Sequence, residues 1–310
     1  MLVKPMDVLS QFPVRKTKKQ KQAFRDSVQD YLASLNYSVA VEEGKFGSRN
    51  MVIGDPKTAK YLVTAHYDTP ARLPFPNFIT PCSFVPFALY QLFTLVMIFV
   101  GAALLDVFLS LLLGVVPSEG FSGSAYVWIV CLLMLVGPAN PNNANDNTSG
   151  VVTVLEIART LPENQRHKVC FILFDLEEAG LIGSKEYYKK HNKEVQDQLI
   201  LNLDCVGDGD HLMMFPTKAL KKDRKKLTSL YKACGYFGKK SILIHEKGFS
   251  YYPSDQKHFP YGVGICALNQ KKKTLCLSRI HTPKDTVLDE TNVNILRAAL
   301  TTYICCNEVN

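Results

Sequence analysis

The rhythm of apolar and polar positions changes several times along this chain, and each change marks an element. Over residues 18–35 (KKQKQAFRDSVQDYLASL), Ala23, Phe24, Val28, Tyr31 and Leu32 recur at helical spacing until Asn36-Tyr37 interrupts them. Residues 37–41 (YSVAV) then alternate like a strand, and 50–54 (NMVIG) and 61–65 (YLVTA) are short apolar runs. Residues 169–174 (VCFILF), 199–203 (LILNL) and 262–268 (GVGICAL) have the same character, which suits inner strands covered on both faces. Helical patterns separate them at residues 150–161, 184–191, 222–234 and 290–305. Strands alternating with helices predict an α/β fold, a three-layer sandwich around a central mixed, mostly parallel sheet.

One stretch departs from this pattern. Residues 84–105 (FVPFALYQLFTLVMIFVGAALL) carry no charge over 22 positions. As a helix they would extend about 33 Å, enough to cross a hydrocarbon layer of about 30 Å. Asp106 follows, then a further apolar run at 107–116, a turn-like segment at 117–123 and a shorter apolar run at 124–136 that Pro138 and Pro141 close. The pattern predicts a transmembrane helical hairpin at residues 84–137, inserted into a discontinuous domain made of residues 1–80 and 138–310. A carboxylate at mid-bilayer would cost about 2.5–3.5 kcal/mol. Asp106 is therefore expected near the far interface or against the partner helix. A hydrophobic cap or dimer arm on a soluble protein is the competing reading.

Average composition, 47% hydrophobic and 21% charged, conceals this segregation. The net charge of +8 comes mainly from lysine-rich runs at 15–21, 218–226 and 271–273. Aromatic residues are not interleaved with these lysines, which argues against a nucleic-acid platform. A solvated face is the default, and if the hairpin spans a bilayer the flanking lysines put the rest of the chain on the cytoplasmic side. The nine cysteines show no CxxC spacing, and no apolar run follows the first positive charges, so a reducing, cytosol-facing setting is expected.

Five short segments carry candidate chemistry. TAHYDT (64–69) ends an apolar strand with His66, and Asp68 two residues on points to the same face, where it can receive the other ring N–H. NDNTSG (145–150) places Asp146 just ahead of a helix. DLEEAGLIGS (175–184) puts Glu177 and Glu178 side by side after a strand, an arrangement that repels itself unless a cation or a shared proton intervenes. NLD (202–204) ends another strand with Asp204, and RIHTPKDT (279–286) contains His281. Taken singly, each has an ordinary reading as an ion pair, a cap or a turn. Together they supply nitrogen and oxygen donors without thiolate, at strand ends where ligands gather in open α/β sheets, a set that fits zinc, with cobalt or manganese possible.

This ordered set closely resembles the motifs of the co-catalytic zinc aminopeptidases, a family that also contains glutamate carboxypeptidases and glutaminyl cyclases. The resemblance covers the chain except residues 75–140. It implies two zinc ions per chain, with His66 and Asp204 holding one, Glu178 and His281 the other, and Asp146 bridging. It further implies Glu177 as general base, Asp68 as the group orienting His66, and amide hydrolysis that removes N-terminal residues from peptides. Residues 251–259 resemble the family's SDHxxF stretch and implicate Tyr251, Tyr252, Ser254 and Asp255 in substrate binding, although Gln256 stands where the family has histidine. Because the implied ligands lie on both sides of the insertion, a membrane hairpin must cross an even number of times. Competing expectations are a carboxypeptidase or deacylase on the same centre, for which Arg279 and Arg72 are candidate carboxylate binders, a glutaminyl cyclase, or an inactive membrane scaffold.

Overall fold

A computed structural model of the protein describes residues 2–73, 77–113 and 121–306. Ten strands form one sheet: β1 Val39–Glu43, β2 Arg49–Ile53, β3 Tyr61–His66, β4 Val169–Phe174, β5 Leu199–Leu203, β6 His211–Pro216, β7 Gly235–Phe237, β8 Lys240–Ile244, β9 Gly262–Lys271 and β10 Thr274–Cys276. Their order is β1-β2-β4-β3-β5-β9-β6-β8-β7, with β10 paired to β9. The central strands β4, β3, β5 and β9 run parallel. The expected parallel character is confined to this centre and to the β6–β8 pair, because antiparallel pairings flank the centre on both sides. Short connections such as those joining β1 to β2 and β7 to β8 permit only antiparallel neighbours.

Helices cover both faces. They are α1 Asp7–Gln11, α2 Lys18–Ser34, α3 Phe84–Leu113, α4 Phe121–Val136, α5 Gly150–Thr160, α6 Ile182–Val195, α7 Lys218–Lys222, α8 Arg224–Leu230 and α9 Glu290–Cys306. The two-residue period of the strands decides which face each side chain joins. Tyr61, Val63 and Ala65 of β3, with Val169, Phe171 and Leu173 of β4, pack against apolar residues of α2, α5 and α9. Leu62, Cys170, Ile172 and Phe174 point the other way, toward Tyr187 and Val195 of α6. The result is the expected three layers. Helix α2 starts at a capping box, Thr17 accepting from the Gln20 amide while Gln20 accepts from the Thr17 amide, and buries Phe24, Val28, Tyr31 and Leu32.

Some boundaries differ from the sequence expectation. The helix expected at 222–234 is divided at Asp223, whose side chain caps the start of α8 by accepting from Lys226 N. Strands β6, β7, β8 and β10 lie in segments not predicted as strands. The turn expected at 117–123 falls mostly outside the described residues, and α4 already begins at Phe121.

The apolar insertion leaves and re-enters the domain through a narrow neck, where Ala71 bridges Ala139, Asn140 N donates to Pro70 O and Arg72 N donates to Pro138 O. Beyond it, α3 and α4 face one another, and Gly101 leaves the room that Tyr126 occupies. Among the described residues one helix, Phe84–Leu112, is long and apolar enough to cross a membrane, at roughly 44 Å. Helix α4 has 16 residues, short of the roughly 20 that a span needs, so the expectation of two spanning helices is met in length by α3 alone. Asp106 is partly buried within the pair, with Oδ1 buried and without a hydrogen-bond partner.

Arg15 ties the N-terminal segment to the loops at the strand ends. Its fully buried guanidinium donates to Phe12 O (2.6 Å), Tyr67 O (2.6 Å) and Thr148 Oγ1 (3.1 Å). Burial pushes its pKa down to about 10, against the raising effect of Asp68 and Asp146. Arg15→Met strands several buried acceptors, each costing about 1–3 kcal/mol. The expected result is a fall in melting temperature of roughly 6 °C or more. An unchanged melting temperature would contradict this role.

Candidate metal centre

Parallel strands β4, β3 and β5 lie side by side and deliver their carboxyl ends to one place. His66 is the last residue of β3, residues 175–178 follow β4, and Asp204 follows β5. Asp146 comes from the wide turn Ala144–Ser149 that leads into α5, and His281 from the loop before α9. Five segments spread over 216 positions thus converge, as the crevice at the ends of parallel strands favours.

Asp146 is the pivot. Its Oδ1 lies 3.4 Å from His66 Nε2 and its Oδ2 lies 3.1 Å from His281 Nε2. Asp204 Oδ1 is 3.6 Å from the same His66 nitrogen, and Glu178 Oε2 is 3.5 Å from His281 Nε2. Two triads therefore share one carboxylate: His66, Asp146 and Asp204 on one side, and Asp146, Glu178 and His281 on the other. In each, the ligand atoms lie within 4.8 Å of one another. A third grouping joins His66, Glu177 and Glu178. Asp204 Oδ1 and Glu178 Oε1 are buried without hydrogen-bond partners, as donor atoms awaiting a cation would be.

Charge in the cluster is unbalanced. Burial, with the repulsion of Glu178, Asp255 and Asp204, drives the Glu177 carboxyl well above the usual carboxylate range against the pull of His66. Burial and the charge of Asp146 do the same to Glu178. Burial opposes ionisation of Asp146 as well, but hydrogen bonds from His281 and His66 hold it below its usual value. Divalent cations would remove the frustration these shifts express.

Supporting groups fix the donors. Asp68 faces His66 Nδ1 at 3.5 Å, and its carboxylate also accepts from the backbone N–H groups of Glu177 (3.0 Å) and Glu178 (3.2 Å). It therefore positions the glutamate pair as well as the imidazole, a second role the sequence did not reveal. Asp285 was not singled out either, yet its two oxygens accept from Asn145 N (2.8 Å) and Asp146 N (3.0 Å). Asn147 Oδ1 accepts from Gly150 N and Cys205 N, locking the turn to the segment after β5. The Asp146–Asn147 peptide bond is cis. Gly150 is required for this docking, since a Cβ there would sit 2.3 Å from Asn147 Oδ1 and from Leu203 O.

The residues proposed from sequence for substrate binding divide into two groups. Tyr251 is exposed and packs on Phe87 of α3. Tyr252 donates its hydroxyl to Asp204 O at 2.9 Å, and Ser254 and Asp255 are wholly buried behind the centre. Burial pushes Asp255 up to about 7, and its charge is felt by Glu177. Gln256, standing where the family pattern has histidine, is buried and shares Asn202 Nδ2 with Ser254 while donating to Tyr252 O. Arg279 is paired with Asp208, and Arg72 is exposed.

Comparison with known proteins places the chain in a family. The model of peptidase family M28 matches residues 132–303, more than half of the chain. The chain belongs to that family. It is 42% identical over 73 residues to the aminopeptidase YwaD of Bacillus subtilis, a stretch covering 23% of this chain and 16% of that protein. Among solved structures it is similar to the glutaminyl cyclase of Bacteroides thetaiotaomicron, with TM-score 0.59, 16% identity, and coverage of 99% of this chain and 96% of that one. It is also similar to the LapA aminopeptidase of Legionella pneumophila, with TM-score 0.56, 16% identity, and coverage of 98% and 69% respectively. These structural likenesses establish the shared fold.

Removing the Asp285 carboxylate releases the backbone that presents Asp146. Asp285→Ala is expected to weaken zinc binding about 10–100-fold, measured by chelator competition. Affinity equal to that of the unmutated protein would remove Asp285 from this role.

Proposed function

We propose that the chain is a membrane-anchored metallo-aminopeptidase that removes N-terminal residues from peptides. The observation that carries this reading is the division of the Asp146 carboxylate between His66 and His281, each with its own second acid. His66 and Asp204 would hold one cation, Glu178 and His281 the other, with Asp146 shared between them. Nitrogen and oxygen donors without thiolate match zinc. Bound zinc supplies electrophilic polarisation and lowers the pKa of water.

The chain's own groups do the rest. Glu177 stands beside the two triads, its backbone N–H held by Asp68 and its carboxylate grouped with His66 and Glu178. It takes the proton of the attacking water and returns it to the departing amine. The acidic surroundings attract the free ammonium end of a peptide. Arg279, one of the two candidate binders of a substrate carboxylate, is occupied by Asp208.

In this reading residues 1–80 and 138–310 form one discontinuous catalytic domain, and residues 84–137 seat in a lipid bilayer as a helical pair. The exposed apolar surface of α3, including Leu92, Phe93, Phe99, Leu104 and Phe108, motivates the membrane assignment. In this reading the catalytic domain lies on the cytoplasmic face.

Glu177→Gln tests the base directly. Zinc content should stay near two per chain by elemental analysis, while kcat on an N-terminal amide substrate falls by about 10²-fold or more. A variant that turns over at the original rate would exclude Glu177 as the base.

A further inference from the structure

The apolar insertion grows out of the rim of the metal centre. Leu73 N donates to the carbonyl of His281 itself (2.9 Å), and Ile79 exchanges backbone hydrogen bonds with Leu277 on the same loop (3.1 and 2.9 Å). On the other side, Tyr251 N donates to Pro81 O at 3.0 Å. The first turns of α3 then rest on the neighbouring loop: Phe84 and Phe87 on Phe249 at 5.3 and 6.1 Å, and Phe87 on Tyr251 at 4.8 Å. Phe78 and Tyr90 form a further pair at 5.3 Å. This cluster of aromatic rings sits where a long apolar helix meets a polar domain, the level at which aromatic side chains gather at a membrane interface. On its outer side Phe84, Val85 and Leu89 are about three-fifths exposed, with nothing polar on this stretch to meet water.

From that collar the metal centre is close. Tyr251 adjoins Tyr252, whose hydroxyl reaches the Asp204 carbonyl at 2.9 Å. One backbone step, one tyrosine side chain and one hydrogen bond span on the order of 15 Å at most. An extended peptide covers about 3.4 Å per residue. A separation of that size corresponds to roughly four or five extended residues.

We propose that the substrates are peptides held in the same bilayer by a segment on their C-terminal side, which present a free amino end across a spacer of about that length. This deepens the aminopeptidase reading and rests on it. Shared attachment replaces encounter from solution with an effective concentration in the millimolar range, so the gain belongs in KM and not in kcat.

The test uses the full chain, zinc-loaded, in phosphatidylcholine nanodiscs. A soluble peptide is compared with peptides of the same first residues that carry a C-terminal phospholipid anchor after about two, five or ten residues. The anchored peptide of about five residues should show KM at least about tenfold lower with kcat unchanged. The shortest should show no gain, because its amino end cannot reach. Equal kcat/KM for soluble and anchored peptides at every spacer overturns the proposal and leaves the aminopeptidase reading standing, whereas failure to cleave any of them defeats both. An independent readout needs no turnover. With Trp128 replaced by phenylalanine, the fluorescence of Phe87→Trp should be quenched by lipids brominated near the headgroup. Absence of quenching would place the collar in water and overturn the proposal.

Discussion

Mutual repulsion among buried and half-buried carboxylates governs the candidate centre and the fold around it. Asp68, Asp146, Glu177, Glu178, Asp204 and Asp255 meet in one small space, where His66, Arg15 and Lys21 offset only part of their charge, and a folded chain does not gather such a set without a compensating charge. The fold provides the framework that tolerates it. Three adjacent parallel strands, buried on both faces, end at His66, just ahead of the Glu177–Glu178 pair and just ahead of Asp204. Asp285, Asn147 and Asp68 then satisfy the backbone around the site, which leaves carboxylate oxygens of Glu178 and Asp204 free for a cation.

Much of this could be read in the sequence because the signals are local. An apolar run ending in His-x-Asp, another ending in consecutive glutamates and a third ending in Asn-Leu-Asp each combine a strand with a polar terminus, and the parallel order of those strands brings them together. Other features were not legible because they depend on partners far along the chain. Asp285 acts on amides about 140 positions away, and Asp68 acts on two amides beyond β4 as well as on the nearby His66. Strands β7 and β8 were missed because the lysines and glycines of GYFGKKSILI obscure the two-residue alternation, and β6 because HLMMFP shows no clear alternation at all. The split between α7 and α8 turns on Asp223 acting as a cap within a lysine-rich stretch of otherwise helical composition.

The insertion shows the same division. Its apolar character is obvious from composition, and α3 forms as expected. Its attachment beside the candidate centre is a tertiary feature: the neck at Ala71 and Ala139 and the hydrogen bond from Leu73 to the carbonyl of His281 join an exposed apolar surface to the wall of that centre. A long apolar helix elsewhere on the domain would serve as an anchor alone. Rooted here, it fixes how the candidate centre sits relative to the apolar surface.

In the proposed centre two cations occupy adjoining sites on either side of Asp146. Anomalous diffraction at the zinc absorption edge, from crystals of the full chain grown with zinc, tests it most directly. Two peaks about 3.5–4 Å apart are expected, one beside His66 and Asp204 and one beside Glu178 and His281. A single peak, or peaks away from Asp146, would contradict it.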